Sequence, residues 1–361
     1  MKNTFGNAVS ITLFGESHGT CVGCVLDGLA PGIPVDEAYI AELLAKRRPH
    51  GDISTARQEK DPFVMESGVF NGITTGTPIC IRIPNEDTRS EDYTRLARPG
   101  HADYAANCKY HGYEDYRGGG HFSGRLTAAL VAAAGIVIPV LEKKGITIGT
   151  HIRRLGGVED RSFQQVCSDI SSLKKAEFPV LDSAIAEKMK QRILDVKADG
   201  DSVGGVLETA VAGIPAGVGE PWFDSVESVL SHALFSIPAV KGIEFGDGFA
   251  LSDMLGSQAN DVFLAGDNGV FTETNHNGGI NGGISNGMPV VFRCAVKPTP
   301  TIAKAQNTVD LESGSSAILQ AKGRHDPCIV HRAAVVVDAV TALVLCDLLT
   351  GRFGTDWLGE I

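Results

Sequence analysis

Residues 125–141 read RLTAALVAAAGIVIPVL, and this stretch decides the fold. A surface helix keeps a polar face, whereas a helix that is apolar nearly all round must be covered on every side. The stretch is therefore expected to form a helix buried between two layers. Residues 332–349 give a second strongly apolar helix that carries Asp338 and Asp347. Strand-like runs surround these two, at 8–13, 22–27, 64–70, 79–83, 146–151, 205–212 and 289–296. Asp36 is placed to cap a further helix carrying Ala38, Ile40, Leu43 and Leu44, which ends in basic residues before Pro49. Residues 184–196 form an amphipathic, charged helix with one solvent face. No fixed-period repeat, low-complexity linker or composition shift divides the chain. The expectation is one domain over 1–361, of α+β class, with buried helices between sheets.

Long connections at 48–62, 83–100, 113–124 and 245–287 are rich in Gly, Asn, Ser and Asp. Loops beyond about 12–15 residues in a compact domain are usually functional or disordered, and these hold most of the glycine motifs. The net charge of −11 argues against a general nucleic-acid or anionic-membrane binder. Against that field the basic groups stand out: Lys46-Arg47-Arg48, then Arg89, Arg95 and Arg98, then Arg117 and Arg125, then Arg324 and Arg332. Together they point to a pocket for a multiply anionic small molecule. The two long apolar stretches are too short for a membrane span or carry Asp338 and Asp347. Eight scattered cysteines and no charged-then-apolar leader predict a reduced, cytoplasmic protein. Cys21 and Cys24 form a CxxC without a second pair, so they read as small buried hydrophobes and no metal site is expected.

The chemistry-bearing segments share one character. Phe14-Gly15-Glu16-Ser17-His18-Gly19 ends a strand with a hydroxyl and an imidazole between glycines, which permit close backbone approach. Histidine trades protons near neutrality, although alone this turn admits a hydrogen-bonded structural histidine as readily as a catalytic one. Arg98-Pro99-Gly100-His101-Ala102-Asp103 puts a histidine after a Pro-Gly turn at a helix start. Residues 117–125, Arg-Gly-Gly-Gly-His-Phe-Ser-Gly-Arg, run into the buried helix, where loop amides and the helix end favour anions. The segment is neither a P-loop nor GxGxxG. Residues 275–284 are another amide-rich loop. Lys297-Pro298-Thr299-Pro300-Thr301 offers a cation and hydroxyls suited to phosphate. Gly323-Arg324-His325-Asp326-Pro327-Cys328 joins arginine, imidazole and carboxylate ahead of the last helix.

Taken together and in this order, these segments resemble the chorismate synthase family, over almost the whole chain. The resemblance implies a β-α-β sandwich with helices between two antiparallel sheets, assembled as a homotetramer. It implies conversion of 5-enolpyruvylshikimate-3-phosphate to chorismate by anti-1,4-elimination of phosphate, with reduced FMN required and no net redox change. By the same resemblance, His18 serves the leaving phosphate and His101 keeps the N1 region of the reduced flavin correctly protonated. Asp326, helped by Ser17 and Ser123, manages the N5 proton. The substrate carries a phosphate and two carboxylates, for which arginine forks are the natural partners. Arg47, Arg98, Arg125 and Arg332, with Arg48 and Arg57, match the family's basic positions. FMN contacts carry over to His121, Phe122, Ser123, Pro238, Ala239, Gly282, Lys297, Pro298, Thr299, Pro300, Thr301 and Arg324, with Lys297 and Thr301 read as phosphate ligands.

Three departures from the family pattern stand out. After Arg-Arg-Pro, Gly and a further arginine are common, but His50-Gly51-Asp52-Ile53 stands here, so that part of the anion clamp differs or Arg57 compensates. His121-Phe122-Ser123 replaces a common Arg-Ser-Ser. His331-Arg332 replaces a usual Pro-Arg or Ile-Arg. Two other classes stay open on the residues alone. A flavin oxidoreductase with net turnover would need a hydride-donor site, and no Rossmann fingerprint is present, which points to reduced flavin supplied from a separate source. Whether an NAD(P)H-dependent flavin reductase activity is built in is left open. A non-catalytic flavin- or phosphate-binding module would keep the glycine loops without needing His18, His101 and Asp326.

Overall fold

The decisive stretch is a helix, Thr127–Lys143, entered through a 3-10 turn at Gly124–Leu126. Every residue from Thr127 to Ile138 is buried, as its all-round apolar surface requires. The computed structural model describes residues 2–55, 60–86, 94–267, 269–320 and 326–359. The second apolar helix, Val330–Phe353, packs along the first. Both helices are long and apolar enough to cross a membrane, yet 89% of each such window is buried inside the protein.

A sheet lies on either side of the helix pair. The first has the strand order Thr4–Phe5, Ser10–Gly15, Cys21–Asp27, Ile79–Pro84, Val64–Met65, all antiparallel. Val22, Cys24 and Leu26 alternate inward on one strand, as Ile79, Ile81 and Ile83 do on its neighbour, and Thr127–Lys143 packs on them. Cys24 thus belongs to the core, while Cys21 is only half-buried. The second sheet runs Val240–Phe245, Val290–Val296, Gly205–Ala212, Thr147–Leu155, Val158–Glu159, again antiparallel. Phe292, Cys294, Leu207 and Ile152 form its buried row, and Val330–Phe353 packs on the Thr147–Leu155 and Gly205–Ala212 strands. Its outer face is covered by Val166–Leu173, with Ile170 on Ala210 and Ala212. The expected β-α-β sandwich is the observed architecture.

The two acidic residues of the last helix tie it to its neighbours. Asp347 accepts from the amides of Asn7 (3.0 Å), Ala8 (2.7 Å) and Val9 (2.9 Å). Asp338 accepts from the Thr150 hydroxyl of the second sheet at 2.6 Å. Helix Glu37–Arg47 crosses the buried helix at Gly135, where a Cβ would lie 2.7 Å from Ile40 Cγ1.

Two expectations need correction. The run 64–70 is not one strand but two, Val64–Met65 and Val69–Phe70, because Gly68 turns the chain with φ +81. The stretch 245–287 is not all loop: Phe263–Gly266 pairs with Gly269–Thr272, and Ile280–Asn281 with Ile284–Ser285.

Candidate active site

The Ser10–Gly15 strand delivers Ser17 and His18 into a turn, as its sequence predicts. Gly118, Gly119 and Gly120, all at positive φ, fold against that turn. A Cβ at Gly118 would lie 2.1 Å from the His18 ring, so the imidazole and the loop backbone pack face to face only because the residue is glycine. The Ser17 amide donates to Gly120 O at 3.0 Å, and His121 Nδ1 lies 2.8 Å from Gly15 O. Ser123 Oγ accepts from the Arg125 amide at 3.2 Å and caps the entry to the buried helix.

His101 stands across the cavity, after Gly100. Its Nε2 lies 2.6 Å from Thr301 Oγ1, while Lys297 Nζ donates to Gly100 O at 2.6 Å. Arg98 grips Asp103 through Nε and Nη2, each at 2.7 Å. Burial, followed by the Arg98 charge and, more weakly, Lys297, pulls the His101 pKa down to about 4, so its ring is neutral at pH 7. The Pro238–Ala239 turn faces this region, with Ala239 at φ +78 and its carbonyl accepting from the Lys297 amide at 2.9 Å. Positive φ at a residue with a Cβ is strained and concentrates at functional sites.

The arginines converge from three elements. Asp61, wholly enclosed, accepts from Arg47 Nη2 at 3.0 Å with one oxygen and from Arg125 Nη1 with the other. Arg125 also donates from Nε to Asn85 Oδ1 (2.9 Å) and from Nη2 to Pro84 O (3.0 Å). Arg332 donates to Asp326 Oδ2 and, from Nη1, to Arg47 O at 3.4 Å. Burial alone would raise the Asp61 pKa, but Arg47 and Arg125 hold it below the usual carboxylate range. Burial pushes the Asp326 carboxyl up against the pull of Arg332. Sequence reasoning missed Asp61. Lys60-Asp61-Pro62 carries no local motif, and only the basic runs at 46–48 and 125 hint that a counter-charge is needed.

These groups line one cavity of about 1310 Å³, with His18, His101, Asp326 and Ser123 on its wall together with Arg47, Arg98, Arg125 and Arg332. His121, Phe122, Pro238, Ala239, Lys297, Thr299, Pro300 and Thr301 line it as well. Four expected residues are not on the wall. Ser17 is buried behind it, and Arg48 donates to Lys60 O at 3.0 Å. Pro298 turns toward Gly204, and Gly282 sits at the tip of the 280–285 hairpin with open space around it. Arg57 and Arg324 lie outside the described residues.

The volume exceeds the roughly 300–1,000 Å³ of an ordinary small-molecule pocket, which suits a cofactor and a substrate held together. Among the described residues, Ser17 Oγ, Arg47 Nε, Thr299 Oγ1, Asp326 Oδ1 and Arg332 Nε, all closed off from solvent, have no hydrogen-bond partner. The guanidinium groups of Arg47, Arg98, Arg125 and Arg332 on the wall, with Lys297 and Thr301 there as well, fit an anionic substrate and a flavin phosphate.

The profile of the chorismate synthase family matches residues 9–350. A chorismate synthase of Thermococcus gammatolerans is 46% identical over 353 residues, covering 96% of this chain and 97% of the relative. One of Chitinophaga pinensis is 45% identical over 350 residues, covering 96% of each. A solved crystal structure of a chorismate synthase superposes with a TM-score of 0.77 at 30% identity, covering 97% of this chain and 94% of that one.

Proposed function

The chain belongs to the chorismate synthase family, and from that premise we propose that it is a lyase that eliminates phosphate from 5-enolpyruvylshikimate-3-phosphate, with reduced FMN beside the substrate. The family's function in the shikimate route to the aromatic amino acids is the function of this chain. The observation that carries the finer reading is the convergence of His18, His101, Asp326 and four arginines on one cavity. Reduced FMN held in this cavity would supply electron density to the substrate without net oxidation.

The protein's own residues supply the rest. Arg47 and Arg332, both on the cavity wall, meet the substrate's anionic groups, and burying those groups unpaired would cost several kcal/mol each. His18, held against Gly118, gives a proton to the departing phosphate, and such general acids contribute roughly 10²- to 10⁴-fold. His101, neutral and anchored on Thr301, governs protonation beside the N1 side of the cofactor. Asp326, raised by burial and with Oδ1 unpartnered, holds a proton on the N5 side. His121 to Ser123, Pro238 to Ala239 and Lys297 to Thr301 form the cofactor's cradle, with Lys297 and Thr301 on its phosphate.

The reading includes a homotetramer in the reducing cytoplasm that is fed by a separate source of reduced flavin. Trp222, Phe223, Phe249, Phe263 and Val270 are exposed apolar side chains, of the kind that assembly covers. All eight cysteines are free thiols, in keeping with the compartment. An anaerobic assay with dithionite-reduced FMN tests the reaction. Chorismate and phosphate formed in equal amounts support it, whereas phosphate without chorismate, or no turnover, overturns it.

A further inference from the structure

Two departures from the family pattern, some 280 positions apart in sequence, meet in space. His331 opens the Val330–Phe353 helix and is buried. Its Nε2 lies 2.9 Å from Ser54 Oγ, itself buried. The ring stacks on Phe178 (6.0 Å between centroids, 21°) and takes an edge contact from His50 at 5.8 Å. Burial, followed by Arg332 and His50, pulls its pKa down to about 3. The imidazole is therefore uncharged at working pH and adds no repulsion to the arginines.

Both partners of this hydrogen bond adjoin the cavity. Ser54 precedes Thr55, and His331 precedes Arg332; Thr55 and Arg332 lie on the wall. Arg332 also donates to the Arg47 carbonyl at 3.4 Å. The chain after Arg47 is thus tied to the first turn of the last helix at consecutive residues, by His331 to Ser54 and by Arg332 to Arg47. Those ties brace the two segments that carry Arg47 and Arg332, both of which line the cavity.

We propose that His331, acting through Ser54, is a positioning residue that fixes the Arg47–Arg332 pair for the substrate's anionic groups. The inference rests on the phosphate-lyase reading. A side chain in this role sets how tightly substrate is gripped, while a side chain that only fills the core would change stability and turnover together.

Steady-state kinetics on the FMN-loaded protein separate the two roles. Ser54→Ala and His331→Leu are expected to raise KM for 5-enolpyruvylshikimate-3-phosphate about twofold to tenfold, the order of one lost hydrogen bond, with kcat within twofold and flavin affinity unchanged. His331→Gln, whose amide reaches the Nε2 position, is expected to restore KM to near the wild-type value. The double variant is expected to be no worse than the worse single one, since both break one contact. KM unchanged in Ser54→Ala, or kcat and KM falling off together with no rescue by glutamine, overturns the proposal. Should His331→Leu fail to fold, the KM of Ser54→Ala decides alone. A wild-type protein that forms no chorismate refutes the phosphate-lyase reading itself, whereas an active wild type with indifferent variants refutes only the role of His331.

Discussion

Asp61 Oδ2 lies 3.0 Å from Nη2 of Arg47, in a pocket where the carboxylate has no exposed side-chain surface. Its other oxygen is taken by Arg125, so one buried anion sets the position of two cations from different elements. Removing one member of a buried ion pair leaves the rest uncompensated, at a cost of about 3–5 kcal/mol. Asp61→Ala is therefore expected to lower the melting temperature by several degrees and to raise substrate KM at least tenfold. Calorimetry and steady-state kinetics check both, and an unchanged melting temperature would contradict the pairing.

His101 is neutral at pH 7 because burial, then Arg98 and Lys297, draw its pKa to about 4. His18→Ala and His101→Ala are each expected to lower kcat by roughly 10²-fold or more, the range of a lost acid–base group. Flavin affinity should stay within a few-fold in both, as measured by fluorescence titration. Near-wild-type rates in both variants would remove their assigned roles.

The fold was legible where burial demands an unusual pattern. Residues 125–141 are apolar on every side, and only a position between layers accommodates that. The hairpin at Phe263–Thr272 left no such trace, because its residues up to Phe271, apolar ones included, face outward among those described, so no alternation marks it. In the site, His18, His101 and Ser123 were visible because glycine flanks them. Asp61 was not, since its partners lie 14 and 64 positions away and its significance is purely three-dimensional. The Ser54–His331 contact was hidden for the same reason, although both segments could be singled out as departures. Gly282, a motif glycine, lies at a hairpin tip off the cavity wall, a placement that its sequence does not signal.

Gly118→Ala tests the contact between the glycine loop and His18. The added Cβ would fall 2.1 Å from the ring at φ +59, and left-handed backbone costs an alanine about 1–2 kcal/mol. The expected outcome is a loss of kcat of at least tenfold with a modest drop in melting temperature. Full activity would show that the imidazole is free to move aside.

Asp338 makes stability depend on pH. Burial raises its pKa from 3.8 to about 6, with Thr150, Lys46 and Lys174 opposing. The folded state thus binds this proton more tightly than the unfolded state. The stabilisation is full below about pH 4 and is lost as pH rises through 6. Asp338→Asn, which still accepts from Thr150, is expected to raise the melting temperature at pH 8 and to leave it nearly unchanged at pH 4. Equal shifts at both pH values would contradict the assignment.

The central claim is elimination of phosphate with the flavin unchanged overall. The most direct test counts chorismate formed against flavin oxidised, in an anaerobic cuvette holding protein, reduced FMN and an excess of 5-enolpyruvylshikimate-3-phosphate. The account predicts many chorismates per flavin, one phosphate for each, and an absorbance spectrum that ends as reduced as it began. One flavin oxidised for every substrate consumed would contradict it.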